Sequence, residues 1–258
     1  MTEDDQWGAV SDGDHYELSE PEEPDRIREV AEWVLTGRCV LFDFDGPLCR
    51  LFPKGSSEPV ARELREIVDR AGEGALLSCE ARESIDPHVV LRAVDRERRG
   101  SRLVQGLEAL ITMREKEAAT RAWPTPAADA FVRGLSAAGV RIAVTTNNSP
   151  AAVTVYLRRV GLAQYFGDHV YGRTGDPRLM KPHPDCLNRA REGLDARADD
   201  AVLIGDTVAD LLAAREAEVR FVGYARNERK AAPLQAAGAD LVVRRLTTLS
   251  EAIAACPS

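Results

Sequence analysis

The chain has 258 residues, 44% of them hydrophobic and 29% charged, with a formal net charge of −8. That length accommodates one large or two smaller units with a substantial core, and no apolar run nears the roughly 20 residues that span a bilayer. The acidic balance argues against a nucleic-acid grip, no secretion-type leader opens the chain, and five scattered cysteines without a C-x-x-C pair fit reduced cytosolic thiols rather than a disulfide frame or a zinc site.

The charge is unevenly spread. Residues 1–25 hold ten acidic side chains and no Lys or Arg, whereas the remainder carries 34 basic and 32 acidic residues. Residues 1–24 therefore read as a disordered acidic tail. Ile27, Val30, Ala31, Val34 and Leu35 then recur at helical spacing, with Gly37 as the expected stop.

Cys39-Val40-Leu41-Phe42 is a short apolar run, the pattern of a parallel strand buried on both faces. It ends in Asp43-Phe44-Asp45-Gly46, so the strand delivers two carboxylates to its C-terminal edge, where ligands bind in open α/β sheets. The glycine turns the backbone, so Asp43 and Asp45 can take different jobs, one attacking and one moving protons. Alone, such a pair reads first as a solvated turn, and only further parts of the same chemistry downstream favour a site.

Cys49 to Thr145 spans 97 residues, far more than a simple crossover requires. Three helical patterns fill it: Val60, Leu64, Ile67 and Val68; Val89, Val90 and Val94 after Asp86-Pro87; and Leu103, Val104, Leu107, Leu110 and Ile111. Residues 51–123 are expected to form a helical insertion. It carries Arg92, Arg96, Arg98, Arg99 and Arg102, which suit either a solvated face or the grip on one end of an anion. His88 reads as exposed or capping.

A helix is expected next, with Thr125 as N-cap, Pro126 at its first position and Gly139 past its end. Val140–Thr145 is a strand whose tip, Thr146-Asn147, precedes a helix start at Ser149-Pro150 and offers hydroxyl and N–H donors to an anion. Lys181 stands in Met180-Lys181-Pro182-His183-Pro184. The chain has four lysines, Lys54, Lys116, Lys181 and Lys230, against thirty arginines, so a lysine here points to a need for a compact charge. Ala201–Gly205 is another apolar strand, ending in Asp206, with Asp210 one turn into the next helix. Hard oxygen ligands of this kind suit Mg²⁺. Val219–Tyr224 and Ala239–Val243 complete a strand–helix rhythm that predicts an α/β fold with a doubly wound parallel sheet.

Four motifs in order, DFDGPL at Asp43–Leu48, VTTN at Val144–Asn147, MKPHP at Met180–Pro184 and GDTVAD at Gly205–Asp210, resemble those of the haloacid dehalogenase-like hydrolase superfamily. The resemblance covers about Arg38 to Leu246. It implies a Rossmann-like core, residues 25–50 and 124–258, with an α-helical cap over 51–123 similar to that of phosphoglycolate phosphatase-like enzymes. Asp45 is kept, as in family phosphatases and phosphomutases and unlike dehalogenases. Pro47 departs from the Thr or Val usual in family phosphatases, which leaves fine specificity open. The resemblance implies Mg²⁺-dependent hydrolysis of a small phosphate monoester through an aspartyl-phosphate. Asp43 is then the nucleophile and Asp45 the acid–base. Thr146, Asn147 and Lys181 bind the phosphate. Asp43, the Asp45 carbonyl and Asp206 hold the metal, and Asp210 supports Lys181 or a metal-bound water. A sugar-phosphate mutase and a binding or regulatory protein on the same fold are the alternatives. The expected partner is a small phosphorylated metabolite, with no nucleic acid and no membrane, in the cytoplasm; oligomeric state is not legible.

Overall fold

A computed structural model describes residues 24–53 and 57–256. The acidic tail expected over 1–24 lies outside the described residues as far as 23.

The described chain opens with α1 (Pro24–Gly37) and β1 (Cys39–Phe42). The short β2 (Cys49–Arg50) leads to helices α2 (Glu58–Arg70), α3 (Cys79–Glu83), α4 (Pro87–Arg98) and α5 (Arg102–Ala119). The chain returns through β3 (Trp123–Pro124), α6 (Ala128–Ala137), β4 (Arg141–Thr145), α7 (Pro150–Arg159), α8 (Ala163–Phe166) and β5 (Val170–Tyr171). It ends with α9 (Asp185–Gly193), β6 (Ala201–Gly205), α10 (Val208–Glu216), β7 (Arg220–Tyr224), α11 (Glu228–Ala236), β8 (Val242–Val243) and α12 (Leu246–Ala255).

Six strands form one parallel sheet in the order β5-β4-β1-β6-β7-β8. The chain builds outward from β1 on one side, through β4 and β5, then on the other, through β6, β7 and β8. The order reverses at β1, so a crevice opens at the C-terminal ends of β1, β4 and β6. Strand alternation sorts the core into two layers. Val40, Phe42, Ile142, Val144, Val202 and Ile204 pack under α1, α6, α7 and α12. Cys39, Leu41, Ala143 and Leu203 face the other way, onto α9, α10 and α11. Phe42 meets Phe131 and Phe166 edge to face, with centroids 5.9 and 6.2 Å apart. No helix among the described residues is long and apolar enough to cross a membrane.

The inserted helices have a cluster of their own, Val60, Leu64, Val68, Val90, Leu91, Val94, Leu107 and Ile111, closed by Met180 from the sheet side. Entry to and exit from the insertion pair as antiparallel β2 and β3, with Arg50 over the Trp123 ring at 5.1 Å. Asp86 caps α4 as expected, accepting from the His88 N–H, and Ser149 caps α7, accepting from Ala151.

Two expectations shift, and a third holds with a further reason behind it. Thr125 does not cap α6. Its hydroxyl donates to the Gly46 carbonyl at 2.6 Å, which fastens the turn after β1, and the helix starts two residues late behind Ala127, at φ 62°. Gly37 ends α1, but the left-handed residue is Arg38 at φ 53°. Gly37 is glycine because a Cβ would sit 2.2 Å from the Asp200 carbonyl oxygen. The last strand is two residues long rather than five, as suits a sheet edge.

A buried ionic cluster ties the insertion to the sheet. Glu115 of α5 and Arg173, just after β5, are both fully buried and 3.0 Å apart. The Glu115 carboxylate accepts from Arg173, from the Asn148 side chain at 3.0 Å and from the Ser149 N–H at 2.8 Å, and lies 3.0 Å from His88 Nε2. Burial and the Arg173 charge pull the His88 pKa down, but Asp86 and Glu115 outweigh them and carry it up to about 9. His88 is thus neither exposed nor merely a neighbour of a cap. Arg173 also donates to the Asn147 carbonyl at 2.8 Å and to Glu108.

Removing one partner of a buried pair strands the other, at a cost of about 3–5 kcal/mol. Glu115→Ala is expected to lose that order of stability in urea unfolding and Glu115→Gln clearly less. Equal midpoints for Glu115→Ala and the parent would show that the cluster contributes nothing.

Candidate active site

The Asp43 N–H donates to the Ile204 carbonyl at 2.9 Å, which extends the β1–β6 ladder by one step and fixes where the carboxylate emerges. The chain then turns through Gly46 at φ 140°. A Cβ on Gly46 would lie 2.5 Å from Asp206 Cγ, so only glycine lets the turn pass over that carboxylate. The turn separates the two aspartates. Asp43 stays buried over the sheet edge, and Asp45 Oδ1 accepts from the Leu51 N–H at 2.8 Å, towards the insertion.

Lys181 arrives from the β5–α9 connection and is 2% exposed. Its ammonium donates to Asp43 Oδ1 at 2.8 Å and to the Thr145 carbonyl at 2.9 Å, and pairs with Asp210 Oδ1. Burial opposes its charge, but Asp210 and Asp43 more than compensate, and its pKa is driven up. The lysine backbone is gripped as well. Asn147 Oδ1 accepts from the Lys181 N–H at 2.7 Å, and its amide donates to the Lys181 carbonyl at 3.0 Å. Arg92 of α4 donates to that carbonyl at 3.1 Å. Of the five insertion arginines singled out above, Arg92 is the one placed against the site. Arg98 pairs with Glu73 and Arg99 with Asp176, while Arg96 and Arg102 are exposed.

Thr146 sits at the tip of β4. Its N–H donates to the Tyr171 carbonyl at 3.1 Å, and its hydroxyl exchanges hydrogen bonds with Asn148, both 3.1 Å. The loop is thereby held open-ended at the sheet edge, beside Lys181.

β6 ends in Gly205, where a Cβ would meet the Asp210 Cβ at 2.5 Å. Asp210 closes a capping box with Thr207 at the start of α10 and also accepts from the Asp206 N–H at 3.2 Å. Both its oxygens are thus engaged, one by the helix start and one by Lys181. Asp206 differs. Oδ2 takes the Lys230 ammonium at 2.8 Å, while Oδ1 is buried with no hydrogen-bond partner among the described residues. Oxygens of Asp43, Asp206 and Asp210 lie within 4.8 Å of one another.

Burial pushes Asp43 up, with Lys181 pulling it back. Burial likewise raises Asp206, against Lys230, and raises Asp45 to about 6, against the Leu51 hydrogen bond. An all-oxygen set with one orphaned carboxylate oxygen is the donor chemistry of a hard divalent cation such as Mg²⁺. The residues present fit such an ion: Asp206 through Oδ1, with Asp43 beside it.

All seven sequence-selected residues, Asp43, Asp45, Thr146, Asn147, Lys181, Asp206 and Asp210, come together at the C-terminal edges of β1, β4 and β6 and the segments that follow. Sequence reading passed over Lys230, Arg173 and Glu115. The scarcity of lysine marks Lys230 as much as Lys181, but 24 residues separate it from Asp206.

The haloacid dehalogenase-like hydrolase family matches residues 38–218. Among curated proteins, the phosphoglycolate phosphatase of Vibrio parahaemolyticus is 32% identical over 120 residues, 46% of this chain and 52% of that one. The pyrophosphatase PpaX of Bacillus mycoides is 28% identical over 118 residues, covering 46% and 54%. The chain thus spans about half the length of the curated relatives it matches. Among solved structures, a predicted phosphatase from Clostridium acetobutylicum superimposes with a TM-score of 0.61 at 20% identity, over 84% of this chain and 98% of that one. CbbY from Rhodobacter sphaeroides, in complex with xylulose-(1,5)bisphosphate, gives 0.57 at 20% identity, over 83% and 95%; at such identities the likeness is one of fold. With the family matched over most of its length and the same sheet and helical insertion in its structure, the chain belongs to the haloacid dehalogenase-like hydrolases.

Proposed function

We propose that this protein is a divalent-cation-dependent phosphatase that hydrolyses a small phosphate monoester through an aspartyl-phosphate. The observation that carries the reading is Asp43 at the switch point of the sheet, its carboxylate 2.8 Å from a buried lysine and beside the unpartnered Asp206 oxygen. A phosphate dianion does not approach bare carboxylates, so such a cluster needs cations to admit it.

Asp43 attacks phosphorus. Lys181 screens the nucleophile from the incoming dianion, and Asp210 and Asn147 fix the lysine head and backbone. The Thr146 hydroxyl and the Asn147 N–H bind phosphate oxygens. Asp45, with a carboxyl raised to about 6, keeps a share of its protons near neutral pH. It donates one to the leaving oxygen and takes one from the water that then attacks the acyl phosphate. Asp43, Asp206 and the Asp45 carbonyl would hold Mg²⁺, which when bound neutralises phosphoryl charge and holds that group in line. Residues 25–50 and 124–258 serve as the catalytic unit and 51–123 as the cap that excludes water and selects the ester. The two relatives named phosphoglycolate phosphatase and PpaX support a small anionic substrate.

A screen of phosphate release over a panel of phosphorylated metabolites, with and without Mg²⁺, tests the reading. No Mg²⁺-dependent release from any ester would sink it, and a product in which phosphate has only moved on the sugar would make the protein a mutase. Asp43→Asn is expected to remove turnover and acid-stable labelling by phosphate donors while keeping the fold. Lys181→Arg should cost at least about tenfold in kcat/KM, nearly as much as Lys181→Met, because a planar guanidinium cannot concentrate charge where Asp43 and Asp210 meet. Parental activity in Lys181→Met would place the lysine outside the reaction.

Asp45 supports a prediction that does not depend on turnover. Its folded carboxyl binds a proton more tightly than an unfolded one, so it withdraws stability as pH rises from about 4 to about 6. Asp45→Asn keeps the acceptor for Leu51 and removes that loss. Metal-free Asp45→Asn is expected to melt above the parent at pH 7.5, by the equivalent of about 1–3 kcal/mol, with the gap closing by pH 4, while losing about 10²–10⁴-fold in kcat. A gap independent of pH would show that the carboxyl is not raised.

A further inference from the structure

Lys230 lies outside the four motifs, yet it touches the site. It stands in the first turn of α11, where the helix dipole disfavours a cation. Its backbone is fixed there, because the Lys230 N–H donates to the Asn227 side chain, itself buried, at 3.1 Å. Its ammonium crosses to Asp206 Oδ2 at 2.8 Å. Asp206 is 6% exposed, whereas the Lys230 side chain is 38% exposed, so the lysine reaches from the rim onto a buried carboxylate. In a chain that writes arginine thirty times, both lysines described in ion pairs, Lys181 and Lys230, pair with this one acidic cluster.

The pairing divides Asp206 into two unlike oxygens. Oδ2 is taken by Lys230. Oδ1 is buried, unpartnered among the described residues, and lies 2.8 Å from where a Gly46 Cβ would be, on the side of the Asp43–Gly46 turn. A surface ion pair leaves no such orphan, because both oxygens of an exposed carboxylate meet water. A cation at Oδ1 and the Lys230 ammonium therefore share one carboxylate.

We propose that Lys230 is a positioning residue for this site: a tethered counter-cation that holds Asp206 by Oδ2, presents Oδ1 to the divalent cation, and by its own charge weakens that cation's binding while favouring the phosphate dianion. This rests on the metal-dependent reading above. Two positive charges on one carboxylate repel each other through a poorly screened interior. Taking the lysine charge away leaves the cluster more negative, so it holds Mg²⁺ more tightly and a dianion less well. Arg226, on the same connection, adds positive charge near Asp45 and Lys230 and is left in place by the test.

The test is calorimetric and needs no turnover. Mg²⁺ is titrated into the full chain, and inorganic phosphate into the Mg²⁺-saturated protein, for the parent, Lys230→Met and Lys230→Arg, with melting curves confirming the fold and Lys230→Gln as the replacement if the methionine variant does not fold. Lys230→Met is expected to bind Mg²⁺ at least about fivefold more tightly and phosphate at least about fivefold more weakly. Lys230→Arg, which keeps the charge, should stay within about threefold of the parent for both. Mg²⁺ binding that is unchanged or weaker in Lys230→Met overturns the inference, the weaker result showing that orientation of Asp206 outweighs charge. Phosphate binding unchanged beside tighter Mg²⁺ binding overturns its second half. A parent that shows no saturable Mg²⁺ binding overturns the metal-dependent reading and this inference together, whereas a binding parent with an unshifted variant overturns this inference alone.

Discussion

The site is organised around one buried ammonium ion. Lys181 is 2% exposed, and a charge at that depth is stable only if everything around it accepts hydrogen bonds or carries the opposite sign. Asp43 just past β1, the Thr145 carbonyl at the end of β4 and Asp210 in the first turn of α10, after β6, meet that demand. The lysine cannot be accommodated unless all three strands are in register, and the carboxylates would repel one another without it. Folding the sheet and assembling the cluster are thus one event. The cost of a buried charge is repaid only in the arrangement that also sets the Asp43 carboxylate beside the ammonium.

This explains which parts were legible in the sequence. Asp43, Lys181 and Asp206 announce themselves because each lies at the end of an apolar run or beside a proline, and Asp210 because it falls one turn after Asp206 at a helix start. The parallel sheet was equally legible, since Val40–Phe42 and Val202–Ile204 bury both faces and read as unbroken apolar runs. Thr125 was misread because its local signal, a threonine before a proline, is that of a cap, while its hydroxyl is committed to Gly46, 79 residues away. Gly37 does end α1, as read; what local chemistry hid is its second role, the close approach of the Asp200 carbonyl from across the molecule. His88, Glu115 and Arg173 were illegible because a lone charged residue on a helix or in a connection looks solvated until the fold brings its partners.

That hidden cluster bears on the site without belonging to it. Glu115 supplies acceptors to Asn148 and Ser149, and Arg173 donates to the Asn147 carbonyl, so the loop that starts at Thr146 is held from the side of the inserted helices. Asn147 passes the constraint on, since its side chain grips both backbone groups of Lys181. Arg92 adds a second hold on the Lys181 carbonyl from α4. The insertion is therefore mechanically continuous with the lysine through a chain of named hydrogen bonds, each between 2.7 and 3.1 Å and all at least partly buried. A helix that packed here through apolar contacts alone would leave the loop free to choose among conformers; a buried carboxylate with fixed donors does not.

The remaining tension lies among the acids. Four carboxylates converge, and burial raises the pKa of three of them, Asp43, Asp45 and Asp206, which means that the folded chain holds charge where water would stabilise it better. Asp210 has both its oxygens engaged, one by the α10 start and one by Lys181. Asp206 is the residue left half satisfied, with one oxygen on Lys230 and the other without a partner among the described residues. A sequence selected for stability alone would replace that aspartate with asparagine or an apolar residue and lose only an ion pair at the rim. The inner oxygen of Asp206 is therefore the open acceptor of the cluster, the point at which the proposed cation would be held.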